Sequence, residues 1–300
     1  MKTTLPLLAL VALAPIAASA LAQNEAVRIE TVTLGELRPT QPALGYRQMD
    51  YKQGRFAQDR EKLFDEYCET AGQSEIARFD DASTLEDLAS FDCVDAPGSH
   101  PEDMKTAVIA PGGEFYLTDG HHTFSNFITL QGDAFRMPVL ITDDYSDLAD
   151  RQTFWNTLQA ERQVWLESPY GPITVDELPK RLGRAHQVDD AYRSLVYFTR
   201  GVGYDKPETP PPFLEFYWGQ WLEERMALAN FDLESLDGYA EAVEHAARLM
   251  VNAPADTVIA ETASGPLTAE QMGRLEAFDQ PALDKLLSPR GKLTYAFSTE

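Results

Sequence analysis

Residues 105–132 read KTAVIAPGGEFYLTDGHHTFSNFITLQG. Ala107 to Ala110 is an apolar run, Gly112-Gly113 a turn, and Glu114 to Thr118 a second run carrying Phe115 and Tyr116. Paired glycines supply the positive φ that tight hairpin turns need, so the first half predicts a β-hairpin. Phe124, Phe127 and Ile128 then stand at i, i+3, i+4 and predict a short helix, with Gly132 placed to stop it. Between strand and helix lies Asp119-Gly120-His121-His122-Thr123, which holds two of the five histidines.

Such a junction favours an anion. The first N–H groups of a helix have no intrahelical partner, and the helix dipole adds partial positive charge there. Gly120 allows close backbone approach, and His121 and His122 are placed to donate hydrogen bonds or carry a proton. Asp119 orients a histidine, acts as a base, or simply caps the helix; the histidines are site residues or half-buried junction residues. Adjacent helical residues diverge, and no third ligand stands at a diagnostic spacing, so no structural zinc site is expected; a weak divalent ion held together with a phosphate ligand is the open alternative. The sequence identifies no cofactor.

The turn belongs to a longer ordered set. Leu37-Arg38-Pro39-Thr40-Gln41 precedes it; Phe154-Trp155, Leu178-Pro179 and Asp189-Asp190-Ala191-Tyr192-Arg193-Ser194-Leu195 follow. Gly203-Tyr204-Asp205-Lys206 and Phe213-Leu214-Glu215-Phe216 with Trp218 complete it. From about Val27 to Met226 this set resembles the ParB-like nuclease family of the ParB/sulfiredoxin superfamily. The resemblance implies an α+β fold: a small mixed sheet with a phosphate- or nucleotide-binding turn at Gly120 to His122, and a helical C-terminal part. It also implies catalytic roles for Asp119, His121 and His122, and ligand contacts from Arg38, Gln41, Lys52, Gly120 and Thr123. For Arg38, Gln41 and Lys52 the alternative is a surface salt bridge or a capped turn. The motif is similar to that of free-serine kinases, where Arg usually follows; here Thr123 stands in that place. Sulfiredoxins carry a cysteine just before the motif histidine, and Gly120 occupies that position, so sulfiredoxin chemistry is not expected.

Outward from this centre, Met1 to Ala22 reads as a signal peptide. Lys2 supplies a minimal positive region, Leu5 to Ala18 is apolar, and Ala20-Leu21-Ala22 fits small-residue cleavage. Pro6, Pro15 and the short run argue against a retained transmembrane helix, which needs about 20 apolar residues. The mature protein is expected to be periplasmic or secreted, without stable membrane insertion. Loss of Lys2 takes the formal charge from −23 to −24. An acidic surface of that size repels phosphodiester backbones, so no duplex nucleic acid is expected as a partner.

The two cysteines, Cys68 and Cys93, form an even pair, and in an oxidising compartment the simplest reading is a disulfide. It would close a loop worth roughly 3 kcal/mol. A catalytic thiol is the competing reading, but neither cysteine stands beside a histidine or a glycine turn.

Val27, Ile29 and Thr31 alternate as a first strand, Pro39 holds Arg38 extended, and Gly45 to Lys52 begins a helix. Residues 53–105 look like an insertion with a helical stripe of Phe56, Leu63, Phe64 and Tyr67, and His100 reads as a solvated loop residue. Met137 to Ile141 is a strand and Asp147 to Leu166 a helix. Leu178 to Arg184 is a short helical turn. Asp189 or Asp190 caps the helix of Tyr192, Leu195, Val196 and Phe198; metal binding by these aspartates is the less common alternative. Phe213, Phe216, Trp218, Trp221, Leu222 and Met226 form a core stripe on a helix from which Glu215 could face the site. After Asp232 come one helix, Leu236 to Val251, and a less ordered tail. The expected organisation is a signal peptide at 1–22, a ParB/sulfiredoxin-like domain at 23–230 with the insertion at 53–105, and a helical extension at 231–300.

Two functions are compatible with these residues. One is an exported enzyme, a phosphoester hydrolase or phosphotransferase, acting on a phosphorylated small molecule. The other is a non-catalytic module that holds an anionic small molecule in the same turn. A nuclease is disfavoured by the charge.

Overall fold

The computed structural model describes residues 28–262 and 264–298. The expected signal peptide and the start of the first strand at Val27 lie outside the described residues. The chain forms a mixed α+β fold around a five-stranded sheet, as expected.

β1 (Arg28–Thr33) leads through a short 3₁₀ turn to β2 (Arg38–Pro39), β3 (Ala43–Leu44) and helix α1 (Tyr46–Gln58). Val32 is the buried residue of β1, so its core face is opposite to the one the Val27-Ile29-Thr31 alternation suggests. Ile29 instead approaches Gly98 of the following segment. That segment contains helix α2 (Arg60–Thr70) and the pair β4 (Ile76–Arg78) and β5 (Asp92–Cys93). The Cys68–Cys93 disulfide ties α2 to β5 across a Cα separation of 5.7 Å.

The hairpin and helix expected between Lys105 and Gly132 are present. β6 (Thr106–Ile109) pairs antiparallel with β7 (Phe115–Leu117), and Gly112 and Gly113 both have positive φ. α3 (His121–Gln131) follows and ends at Gly132, whose N–H returns to the Ile128 carbonyl. β8 (Arg136–Asp144) completes the sheet, whose order is β1-β8-β6-β7-β2. β8 runs parallel to β6, and β2 runs parallel to β7.

Side chains alternate across this sheet as period two requires. Ala107, Ile109 and Leu117 face α2 and α3, packing with Phe64, Tyr67, Phe124 and Phe127. Val108 and Tyr116 face the other way onto α4 (Arg151–Ala160), where Phe154, Trp155 and Leu158 cover them. α4 is shorter than the expected Asp147–Leu166 helix. Asp150 caps its start by accepting the Thr153 N–H, and Arg162 at φ 56 turns the chain out of it. Trp165 follows and donates its N–H to the Thr40 carbonyl.

β9 (Glu167–Ser168) and β10 (Gly171–Pro172) form a small hairpin. The short helical turn expected at Leu178–Arg184 lies earlier, as a 3₁₀ turn at Val175–Glu177 closed by a Thr174–Glu177 capping box. β11 (Val188–Asp189) pairs parallel with β3 and brings two aspartates to two helix starts. Asp189 accepts the Tyr46 N–H at the head of α1, and Asp190 caps α5 (Ala191–Thr199) through the Arg193 N–H. α6 (Leu214–Glu223) begins after Phe213 and ends before Met226, so the aromatic stripe overruns the helix at both ends.

The segment beyond Asp232 is more ordered than its polar sequence suggests. α7 (Leu236–Asn252) is followed by the hairpin of β12 (Val258–Thr262) and β13 (Gly265–Thr268), then α8 (Gln280–Leu286) and α9 (Lys292–Ala296). Leu283, Leu293 and Tyr295 share one core with Leu195 and Phe198 of α5, Trp218 of α6 and Tyr51 of α1. Short helices of this kind carry little periodic signal and are stabilised by packing.

Candidate functional site

The turn Asp119 to Thr123 opens into a cleft of ≈ 630 Å³ between the start of β6 with the end of β7, α1, α5 and the start of α6. Gly120 is the N-cap of α3, at φ 97. A Cβ there would lie 2.5 Å from Cγ of Lys105, so glycine is required both by the backbone angle and by the lysine stem packed on it. Asp119 is not the cap. Its carboxylate makes no hydrogen bond or ion pair with a described residue and is exposed at the cleft. The reading of Asp119 as a helix cap is thereby corrected: its backbone N–H, bonded to Thr106 at 3.2 Å, places it one residue too early.

Both histidines act as acceptors. Nε2 of buried His121 accepts the Thr40 N–H at 3.1 Å, and Nε2 of half-buried His122 accepts the Gly45 N–H at 2.9 Å. An imidazole nitrogen that accepts an N–H carries no proton, so each ring is a neutral Nδ1–H tautomer. Burial holds His121 down at about 3. His122 is also held well below its ordinary value, by burial and by the neighbouring Arg193 and His121, against an opposing pull from Glu215. Neither ring is therefore a ready proton shuttle near neutral pH; each keeps one N–H donor.

The cleft is basic in a chain that is not. Lys52, Lys105, Arg162, Arg193, Arg200 and Lys206 line it against the carboxylates of Glu66, Glu69, Asp119 and Glu215. Lys52 pairs with Glu66 at 2.5 Å. Glu215, buried, lies beside Arg200, 3.5 Å from Lys206 and 3.9 Å from Arg193. Burial alone would raise its carboxyl, but Arg193, Lys206 and Arg200 hold it down at about 2. It thus fixes three cations around the mouth while neutralising only one charge. Nε of Arg193 and of Arg200 is buried without a hydrogen-bond partner.

Of the residues singled out from sequence, Gln41, Lys52, Asp119, Gly120, His121, His122 and Thr123 line the cleft together, and so does Glu215. Gln41 is buried and donates to the Ala43 carbonyl, while Thr123 reaches towards Glu66 at 3.5 Å. Arg38 is elsewhere. It pairs with Glu114 at 2.8 Å and lies over the Tyr116 ring, because its position on β2 points it to the α4 face of the sheet. Lys105, Arg193 and Arg200 escape sequence reasoning as site residues. Lys105 stands directly before the hairpin, whereas Arg193 and Arg200 sit at opposite ends of α5, and no local spacing marks them.

Outside the cleft, His100, Glu102 and Asp103 bring one ligand atom each within 4.8 Å of one another. His100 is also 2.8 Å from Asp95, which raises it, with Glu102 adding to the effect. Among the described residues no helix is long and apolar enough to cross a membrane.

Comparison with known proteins follows this geometry. Residues 30–224 match the family described as Putative ParB-like nuclease. No curated protein matches the chain. Among solved structures, the crystal structure of protein Atu1540 from Agrobacterium tumefaciens is similar, with a TM-score of 0.53 and 21% identity. The likeness covers 75% of this chain and 91% of that one and concerns the fold.

Proposed function

The chain belongs to the Putative ParB-like nuclease family, and from that premise we propose that it binds a phosphorylated small molecule, its anionic group seated on the first turn of α3. One observation carries the reading: six Lys and Arg side chains against four carboxylates line this cleft, in a chain of formal charge −23. The N–H groups of His121, His122 and Thr123 lie in the first turn, where the helix offers them no acceptor. Lys105, whose stem packs on Gly120, lines the same cleft, and its ammonium donates to the Asp103 carbonyl at 3.1 Å. The Nδ1–H of each histidine is a further neutral donor.

Asp119 favours an enzyme over a passive binder. A carboxylate beside an anion site is unfavourable for binding alone, and this one serves no cap. In the proposed reaction it takes the proton of an attacking hydroxyl or water as a phosphoester or phosphoryl bond is broken, while the α3 turn and the cations hold the phosphoryl oxygens. The histidines position rather than shuttle. The disulfide supports an oxidising compartment, periplasmic or secreted. The overall acidity argues against duplex DNA as the substrate.

Thermal shift and calorimetry against a panel of sugar phosphates, nucleotides and inorganic phosphate test the reading. A true ligand at a hundredfold excess over Kd stabilises the fold by roughly 2.7 kcal/mol. Lys105→Gln should weaken it at least tenfold. A panel that leaves the parent protein unshifted, or a shift indifferent to Lys105→Gln, would remove the proposal.

A further inference from the structure

A second cleft, ≈ 550 Å³, lies between α1, α8 and α9. Its charged lining is Arg55, Lys62, Arg200, Lys285, Arg290 and Lys292 against the single carboxylate of Asp59. Acidic residues outnumber basic ones 48 to 25 in the chain, so this excess is a local accumulation. Most cations elsewhere are neutralised; here Lys62 pairs with Asp65 and Arg200 with Glu215. Arg55, Lys285, Arg290 and Lys292 have no carboxylate within ion-pair distance among the described residues. Converging like charges without counter-charge cost stability, and an abundant supply of Asp and Glu on the same chain has not been used to relieve it.

Lys292 shows the cost most clearly. It is half-buried at the first position of α9, with its ammonium 4.9 Å from the Tyr197 ring centre. Burial, then Arg200, Lys52, Arg55 and Lys285, bring its amine down to about 8. Packing holds it there, since α9 is docked on α1 through buried Leu293 and Tyr295. Arg55 is likewise held, donating to the Tyr51 hydroxyl at 3.2 Å.

We infer that this second cleft is a binding site for a small polyphosphate, an anion carrying two or more linked phosphate groups. With Lys62 and Arg200 already paired, Arg55, Lys285, Arg290 and Lys292 face the single carboxylate of Asp59, an excess that calls for several negative charges at once, beyond what a monoanion supplies. The volume lies in the range of small-molecule sites. Arg200 lines both clefts, but the second charge cluster stands without the reading given for α3.

The test uses inorganic triphosphate and the full chain with its disulfide intact, by calorimetry and thermal shift. The parent should bind, and the Lys285→Gln/Lys292→Gln variant should lose at least tenfold in affinity. Lys105→Gln, in the α3 cleft, should retain this event, so the two sites fail separately. Removing a half-buried cation from a basic cluster should leave the ligand-free melting temperature equal or higher. If that variant does not fold, Arg290→Gln, at an exposed position, should still weaken binding about threefold. Absence of triphosphate binding to the parent, binding unchanged in these variants, or displacement of triphosphate by a tighter-binding single-stranded oligonucleotide would each overturn the assignment.

Discussion

Nε2 of His122 lies 2.9 Å from the backbone nitrogen of Gly45 and accepts its N–H. His121 holds Thr40 in the same way, so adjacent side chains at the head of α3 grip both ends of the segment from β2 to α1. That segment carries Gln41 into the cleft wall and launches the helix that carries Lys52. A motif that reads as chemistry is therefore also a pair of structural clamps.

Removing a clamp should cost stability before it costs chemistry. His122→Ala orphans the Gly45 N–H, an expected loss of about 1–3 kcal/mol. His121→Ala should lose more, because its ring is buried and leaves a cavity as well. His122→Gln keeps an acceptor at similar reach and should recover part of the loss. Urea midpoints of the three variants check this. Equal stability for parent and His121→Ala would show that the clamp is not needed.

Asp119→Asn should behave oppositely. The carboxylate caps nothing and pairs with no described residue, so the free energy of unfolding should stay within about 0.5 kcal/mol of the parent. Turnover of a phosphoester substrate should fall by 10²-fold or more if Asp119 is the base. Unchanged turnover would leave the cleft as a binding site only.

How much of this is legible in the sequence depends on the range of the interaction. The hairpin and the stop of α3 follow from local spacing and the Cys68–Cys93 pair from the even cysteine count, and the structure contains all three; α3 itself begins earlier than its apolar spacing marks, at His121. The cations do not. Arg193 and Arg200 meet at Glu215 because α5 and α6 pack together, a relation no spacing encodes. Arg38 shows the reverse failure: near the motif in sequence, it is directed to the other face of the sheet by strand alternation. The final 40 residues lack a long periodic run, so their helices become visible only through the core they share with α1 and α5.

Acid should unfold the protein from the cleft outward. His121 titrates at about 3 in the fold against about 6.5 unfolded, so below 6.5 the unfolded chain binds the extra proton. Its contribution is complete above 6.5 and is lost as pH falls towards 3; His122, also lowered, acts with the same sign. Glu215, at about 2 against 4.5, adds a second loss below 4.5. The slope approaches about 1.4 kcal/mol per pH unit for each group in its window. Stability measured between pH 7 and 5 should be flatter in His121→Gln than in the parent. Parallel curves would contradict the buried neutral imidazole.

Reduction should loosen the wall that holds Glu66. Cys68 is fully buried on α2, two residues from the partner of Lys52. Opening a loop of this length should cost roughly 3 kcal/mol, or about 6–12 °C in Tm at the low end of the size effect. Cys68→Ala/Cys93→Ala should match the reduced parent. A melting temperature indifferent to reductant would mean that α2 is held by its aromatic packing alone.

Gly54 sets how closely α9 docks on α1 beside the second cleft. It faces α9, and a Cβ there would overlap the Tyr295 carbonyl oxygen and crowd Ser298. Its φ is not in the left-handed region, so Ala at this position carries no backbone strain and would gain helix propensity of about 1 kcal/mol in α1. The two effects oppose each other, and the overlap wins: backbone cannot rotate away as a side chain can, so α9 must move off α1. Gly54→Ala is expected to lower stability by about 1–3 kcal/mol, the usual cost of overpacking. Displacing α9 carries Lys292 with it and separates it from Arg55. Triphosphate binding at the second cleft should therefore weaken, while a phosphorylated ligand seated on α3, whose first turn does not touch α9, should bind as in the parent. Calorimetry with both ligands on this one variant distinguishes a local displacement from general unfolding. Loss of both events together would mean that α9 supports the whole fold, and loss of neither would mean that the docking seen at Gly54 is not required for the second cleft.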